Sequence, residues 1–120
     1  MKLLIAILMF SLSAYSQSNA SREVLLFYPT NKADTVSKQI KVFSKDLSGL
    51  SERQIKIKRI VTNGKDFEKY NNLKINPNLF TLVLVGKDGG VKFSSNTVIT
   101  SSKLYGLIDQ MPMRKQEMKK

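Results

Sequence analysis

The chain has 120 residues, 20 lysines and arginines against 9 aspartates and glutamates, a formal charge of +11, and no cysteine or histidine. Without these two residue types it has no thiol nucleophile, disulfide, zinc cluster, Ser-His-Asp triad or imidazole base of its own. A metal ion would need oxygen ligands. With 42% hydrophobic and 24% charged residues, the composition is that of an ordinary globular domain, and the length suits one domain.

The N-terminal segment has the pattern of a signal peptide. Lys2 precedes an apolar run to Phe10, and small and polar residues follow. This pattern predicts a signal peptide over residues 1–16, with cleavage as late as Ala20 as the alternative. The run is shorter than the roughly 20 apolar residues that cross a bilayer, and no cysteine follows it for lipid attachment. A buried first strand is the competing interpretation of the run.

We therefore expect an exported protein, periplasmic or extracellular, with no transmembrane segment in the mature chain. Removal of residues 1–16 takes away Lys2 as the only charged residue and leaves a formal charge of +10. The mature domain, predicted over residues 22–118, must be stabilised by its core without disulfides, which is feasible at about 100 residues.

The first half of the mature chain predicts a strand, a helix and a second strand. The apolar run 23–28, ended by Pro29, is typical of a central strand buried on both faces. Asp34 or Thr35 can cap the helix, and Gly49 marks its fraying end. Its apolar residues are spaced by three or four, and lysines occupy the opposite face. The apolar positions are Val36, Ile40, Phe43, Leu47 and Leu50, and the lysines are Lys38, Lys41 and Lys45.

The alternating segment 54–61 predicts an edge strand parallel to the first, on which Lys56 and Lys58 discourage pairing with another chain. A short second helix follows, with Phe67, Tyr70 and Leu73 at helical spacing.

The second half predicts a hairpin and a closing helix. A buried strand over 79–85 is followed by residues 86–90 and a strand over 91–93, and the Asp-Gly pair favours a type I′ turn. Ser101 or Ser102 can cap the last helix, and Pro112 ends it before a basic amphipathic tail. The order βαβαββα predicts an α/β fold, a three-layer sandwich of the thioredoxin-like plan.

Several segments of this chain resemble the DUDES-type domain family. That family comprises small bacterial exported proteins, filed as a domain of unknown function, and repeated domains of vertebrate extracellular proteins such as Equarin and a sushi-repeat-containing protein. The resemblance runs from Arg22 to Met118. It rests on Leu26–Pro29, Asp34 with Gln39, Leu50–Arg53, Leu84–Lys92 and Leu107–Arg114. Its most specific residues are Gly86, Lys87, Asp88, Gly89, Gly90, Asp109, Met111, Pro112, Met113 and Arg114.

The resemblance implies a thioredoxin-like fold related to peroxiredoxins, an extracytoplasmic location and no established enzymatic activity or cofactor. In thioredoxins and peroxiredoxins the reactive cysteine lies just after the first strand, where the helix lowers the thiol pKa. The corresponding residues here, 29–36, include no cysteine. Thr81 occupies what would be the cis-proline position. The redox scaffold is therefore expected without its nucleophile.

Other motifs have simpler interpretations than catalysis. Residues 86–90 lack the spacing of a phosphate-binding loop and precede a strand, which favours a hairpin turn. The scattered carboxylates favour ion pairs over a metal site, as for Asp34 and Lys38. Met111 and Met113 favour packing over the sheet edge, with a docking patch as the alternative.

The basic residues carry the functional prediction. Candidate anion-binding residues are Lys38, Lys41, Lys45, Arg114 and Lys115. Their partner would be an anionic glycan, a lipid headgroup or an acidic protein, and simple solubilisation is the competing explanation. Nucleic acid is disfavoured, because export separates the protein from it and no aromatic residues interleave with the basic ones. We expect a non-catalytic binding or structural module; the alternative is an oxidoreductase-related enzyme working without its own cysteine.

Overall fold

The computed structural model describes residues 20–119, so the predicted signal peptide over residues 1–16 lies outside the described residues. The strands are β1 (Arg22–Tyr28), β2 (Ile55–Val61), β3 (Thr81–Val85) and β4 (Val91–Ser95). The helices are α1 (Ala33–Ser44), α2 (Leu47–Glu52), α3 (Ser101–Asp109) and α4 (Pro112–Met118), with 3₁₀ helices over Thr30–Lys32 and Lys65–Leu73.

The four strands form one sheet in the order β2-β1-β3-β4. β1 pairs parallel with β2, where Arg22 lies opposite Ile55, and antiparallel with β3, where Glu23 lies opposite Val85. β4 pairs antiparallel with β3. The predicted central β1, edge strand β2 and terminal hairpin are therefore confirmed. On the edge strand, Lys58 contacts Glu23 of β1 at 2.6 Å.

Helices cover both faces of the sheet, because β1 and β3 are apolar on both sides. On one face, Val24 and Leu26 pack with buried residues of α1, α2 and α3. On the other, Leu25 and Phe27 pack with residues of the longer 3₁₀ helix, and Phe27 makes edge-to-face contacts with the rings of Phe67 and Tyr70. This arrangement is the predicted thioredoxin-like three-layer sandwich.

The predicted first helix is interrupted. Asp46 leaves the helical region, with φ of −135° and ψ of 73°, and its side chain accepts a hydrogen bond from the Gly49 amide at 3.0 Å, which starts α2 as a separate helix. Leu47 is consequently 67% exposed instead of buried in the core. Gly49 lies inside α2 and not at a fraying end. A glycine is required at this position because a Cβ there would overlap the Asp46 carboxylate and the Tyr105 hydroxyl.

The start of α1 also differs from the expectation. The 3₁₀ turn after Pro29 runs directly into the helix, so Lys32 occupies the N-cap position without a side-chain cap bond. Asp34 and Thr35, which were expected as caps, lie within the first turn. One turn further on, the buried Gln39 amide donates to the Ile99 carbonyl at 2.9 Å and accepts from the Ile99 amide at 2.8 Å.

The hairpin between β3 and β4 uses a three-residue loop. The Gly89 amide donates to the Gly86 carbonyl, and Gly89 alone in the loop has a positive φ, of 83°. This is a type I turn with a glycine bulge rather than the expected type I′ turn, and a register shift after Leu84 accompanies it.

The C-terminal part departs from the prediction at both ends of α3. The Thr100 side chain, not Ser101 or Ser102, caps α3 by accepting from the Lys103 amide at 3.1 Å. Pro112 begins the further helix α4 at its first position, where proline's missing amide hydrogen is not needed.

A candidate binding cleft beside an ion-pair cluster

Basic side chains from four elements of the fold gather where β1 and β2 begin and β3 ends. We call this the cationic end of the sheet and define it by Arg22, Arg53, Lys87 and Arg114. It forms because the parallel pairing places Arg22 beside Ile55, while the antiparallel pairing brings the end of β3 next to Glu23. Carboxylates from α2, α3 and α4 bind these cations.

Arg114 is at the centre of this cluster and is 3% exposed. Its guanidinium donates to Asp109 Oδ1 at 3.1 Å and to Glu52 on α2. Arg53 also donates to both oxygens of Asp109 at 3.1 Å, and its guanidinium stacks 3.9 Å from the centre of the Tyr105 ring. Arg114 was expected to bind an anionic partner at the surface; its donors are instead directed to carboxylates inside the fold.

The protonation equilibria follow from these contacts. Burial raises the pKa of Asp109, but the hydrogen bonds from Arg53 and Arg114 outweigh it and leave that pKa lowered. Burial lowers the pKa of Arg114, and its bonds to Glu52 and Asp109 reverse this effect, so the net pKa is raised. Asp109 and Arg114 are therefore both charged at neutral pH.

Glu117 of α4 ties three separate parts of the chain together. It accepts from Arg22 at the start of β1, at 3.2 and 3.3 Å, and from Lys87 of the hairpin at 2.7 Å. Lys87 also donates to Gln54, which precedes β2. Burial raises the pKa of Glu117, but the bonds from Lys87 and Arg22 lower it to about 2. The carboxylate is thus ionised across the ordinary pH range.

The hairpin loop places a further cation beside this cluster. Asp88 accepts from the Gly90 amide at 2.9 Å and from Lys92 at 2.8 Å. The Lys92 chain lies over Gly86, where a Cβ would come within 2.6 Å of Lys92 Cε. The Gly86–Lys92 motif therefore forms a turn that holds the Lys92 side chain in place.

A cleft of about 480 Å³ separates this hairpin from the corner between α3 and α4. The hairpin and Arg22 provide the polar wall, with Lys87, Asp88 and Lys92. The corner provides a mostly apolar wall of Leu107, Gln110, Met111, Pro112 and Met113. The structure thus brings both of the specific sequence motifs, 86–92 and 107–114, to one site. Met111 packs on the core as expected, whereas Met113 is 42% exposed.

The other candidate anion-binding residues lie elsewhere. Lys38, Lys41 and Lys45 are exposed on α1 and its C-terminal end, and Lys115 is exposed on α4. Within residues 20–119, none of these four forms an ion pair, and the expected pair of Asp34 with Lys38 is not formed. Lys38, Lys41 and Lys45 form the α1 lysine face.

The opposite end of the sheet, where β1 ends, holds residues 29–36 and Thr81; we call it the loop end. Thr30 is exposed in the 3₁₀ turn. Thr81 is buried and its hydroxyl accepts from Asn96 at 3.0 Å. No cis peptide bond occurs in the part of the chain that the structure describes. Over residues 20–119, no group of three or more acidic side chains is placed to hold a metal ion.

The sequence did not identify Arg22, Glu52 or Glu117 as members of a cluster. The spacing of Arg114 and Glu117 by three residues in the basic tail is the only local signal of it, since the two side chains lie 3.6 Å apart on α4.

No helix among residues 20–119 has the length and apolar character needed to cross a membrane.

Solved structures with the same fold include a thioredoxin and a peroxiredoxin. A thioredoxin-2 described as a component of malaria parasite protein secretion machinery matches with a TM-score of 0.57 and 18% identity, over 76% of this chain and 84% of that one. The reduced 2-Cys peroxiredoxin of Plasmodium vivax matches with a TM-score of 0.58 and 17% identity, over 80% of each chain. At these identities the likeness establishes the thioredoxin-like fold alone.

A curated relative is coiled-coil domain-containing protein 80 of Danio rerio, which is 32% identical over 96 residues. The match includes 79% of this chain but spans only 9% of that protein. The family model that matches residues 13–117 is described as a domain of unknown function, DUF4174, and the DUDES-type label stays a prediction. The chain therefore belongs to the DUF4174 family and has a thioredoxin-like fold.

Proposed function

We propose that the protein is an exported, non-catalytic binding module that engages an anionic extracytoplasmic partner through the α1 lysine face. The observation that carries this proposal is the exposure of Lys38, Lys41 and Lys45 on one helix without an ion-pair partner within residues 20–119. A polyanion can approach these ammonium groups without first displacing a carboxylate of the protein.

The charge distribution supports this choice of surface. At the cationic end, Arg53 and Arg114 share the Asp109 carboxylate and Arg114 is buried, so an external anion would gain little at these two guanidinium groups. Among residues 20–119 the α1 lysine face has no such internal partner, and the formal charge of +10 on residues 17–120 speeds encounter with anions at low salt. Among anionic partners, a sulfated glycan presents the closely spaced charges that three lysines along one helix face match best.

The test is binding of the mature protein, residues 17–120, to heparin at low and high salt. The triple variant Lys38→Glu, Lys41→Glu and Lys45→Glu should lose most of the retention. The matched control Lys56→Glu, Lys65→Glu and Lys74→Glu changes the net charge equally, at exposed positions on β2 and around the longer 3₁₀ helix. Equal loss of heparin retention in both variants would show that net charge, and not the α1 lysine face, causes the retention. Absence of retention at low salt would overturn the proposal.

The alternative, an oxidoreductase-related enzyme that borrows a thiol from a partner, makes a separate prediction. The loop end contains Thr30 and Thr81 but no cysteine, so turnover would require an added thiol. We expect the purified protein to consume neither peroxide nor a model disulfide with dithiothreitol present, above the rate of dithiothreitol alone. Turnover above that rate would replace the binding proposal with the enzymatic one.

A further inference from the structure

We propose that the cleft between the β3–β4 hairpin and the α3–α4 corner binds a small amphipathic anion, namely a single apolar chain that carries one carboxylate. This site is distinct from the α1 lysine face and the inference does not depend on the function proposed for that face. At about 480 Å³ the cleft falls within the range of about 300–1,000 Å³ typical of small-molecule sites.

The apolar wall supplies the surface for the chain. Leu107, Met111, Pro112 and Met113 line it from the α3–α4 corner. Met111 is anchored on the core, while Met113 is 42% exposed and free to adjust its three side-chain torsions to a ligand. Covering an apolar wall of this kind removes surface from water, which favours a ligand with a hydrocarbon part.

The polar wall selects the sign of the ligand's charge. Its ionisable lining residues are the cations Arg22, Lys87 and Lys92 and the anion Asp88. Arg22 and Lys87 share Glu117, and Lys92 pairs with Asp88, so three cations meet two carboxylates and a positive charge remains in excess. The Arg22 side chain is 1% exposed, and its Nε is a buried donor with no hydrogen-bond partner among the described residues. The Arg22 and Lys87 side chains are only 1% and 11% exposed, and such poorly hydrated cations attract a carboxylate more strongly than exposed lysines do.

The backbone of the hairpin favours a small molecule over an extended peptide. The Gly86 amide donates to the Gly90 carbonyl, and the Gly89 amide donates to the Gly86 carbonyl. The Gly90 amide is occupied by Asp88. The amides of the three loop glycines are therefore occupied within the loop, and the cleft offers mainly apolar contact and charge.

The test uses decanoate below its micellar concentration, with decyltrimethylammonium as a probe of equal chain length and opposite charge. Titration followed by ¹⁵N chemical shifts should place decanoate at residues 86–92 and 107–113 and show at least tenfold weaker binding of the cationic probe. Equal affinity for the two probes, or shifts centred elsewhere, would overturn the inference.

Two variants test the two walls, and the first has a matched control. Lys92→Met should weaken decanoate binding about tenfold, and Lys74→Met, at an exposed position far along the chain, should leave it unchanged. Met113→Asp places a negative charge at an exposed wall position and should abolish binding without disturbing the core. Unchanged decanoate binding by Met113→Asp would show that the ligand does not contact the apolar wall, and it would overturn the inference.

Two further experiments distinguish this inference from binding at the α1 lysine face and from binding of a peptide. The Lys38→Glu, Lys41→Glu and Lys45→Glu variant should keep decanoate binding while losing heparin, so the two sites fail independently. An acetylated peptide of leucine, phenylalanine and glutamate should bind more weakly than decanoate; tighter binding of the peptide would assign the cleft to a protein partner and overturn the small-molecule occupant.

Discussion

The two ends of the sheet are built in opposite ways. At the loop end, Thr81 and Asn96 are joined by a neutral hydrogen bond, and the exposed 3₁₀ turn at Thr30 leads into α1. At the cationic end, side chains from distant parts of the sequence form a charged cluster centred on Arg114 and Glu117. The loop end is where thioredoxin-like proteins place their chemistry, yet this chain concentrates its specific residues at the other end.

The difference separates the fold likeness from the place of the proposed binding cleft. The four-stranded sheet belongs to a fold that the chain shares with a thioredoxin and a peroxiredoxin. The cleft is lined mostly by residues from the two sequence motifs 86–92 and 107–114, and it lies at the end of β1 far from the loop end. Fold likeness therefore does not identify the site here.

The largest expected effect is that of Arg114→Met. It leaves Asp109 and Glu52 without a shared cation, and we expect a loss of about 2–3 kcal/mol, below the ~3–5 for a fully buried pair because both carboxylates are partly solvated. Urea unfolding at pH 7 measures it. Arg59→Met, at an exposed position on the edge strand, is the control and should stay within about 0.5 kcal/mol. Equal effects would mean that the cluster adds nothing to stability.

Glu117→Gln should have the next largest effect and should change its size with pH. The folded-state pKa of Glu117 is about 2, below its ordinary value of 4.5, so its stabilisation is complete above pH 4.5 and is lost as the pH falls through about 2. After allowance for screening we expect a loss of about 1–2 kcal/mol at pH 7 that shrinks towards pH 2. Unfolding curves at pH 7, 4 and 2.5 test this, with the exposed Glu68→Gln as control. A pH-independent loss would contradict it.

Two glycine substitutions should have opposite signs. Gly89→Ala at the hairpin strains a residue with φ of 83° although nothing lies within 4 Å of the added Cβ, and should cost about 1 kcal/mol. Gly106→Ala in the middle of α3 also meets nothing within 4 Å and should stabilise by about 0.5–1 kcal/mol. Thermal unfolding of both variants checks the pair, and two changes of the same sign would contradict the turn geometry.

The smallest effect should come from the loop end. Thr30→Ala removes an exposed hydroxyl from the 3₁₀ turn, and we expect a change within about 0.5 kcal/mol and unaltered binding of decanoate and heparin. Weaker binding of either ligand by this variant would indicate that the loop end takes part in binding, and it would weaken the contrast between the two ends.

Much of the fold could be predicted because β1 and β3 are continuous apolar runs, which only burial on both faces satisfies. The break at Asp46 could not, since the apolar spacing from Phe43 to Leu50 continues across it and only the capping bond to Gly49 reveals it. The turn type was also ambiguous, because an Asp-Gly pair suits both a type I′ turn and a glycine bulge.

Less of the candidate site at the cationic end could be predicted from the sequence. Its motif residues were recognised, but the cluster joins Arg22 to Glu117, which are 95 residues apart, and no local pattern reports such a pairing. Burial of Arg114 likewise depends on the register of β1 with β2 and on the α3–α4 corner, which appear only in three dimensions.

The paired hydrogen bonds of Gln39 have a consequence for motion within the fold. Ile99 lies outside every strand and helix, yet both of its main-chain polar groups are occupied by one buried carboxamide. Its amide hydrogen can therefore exchange with solvent only when α1 separates from the segment that leads into α3. Hydrogen exchange at this single amide reports that separation, in a segment that would otherwise be assigned to ordinary loop motion.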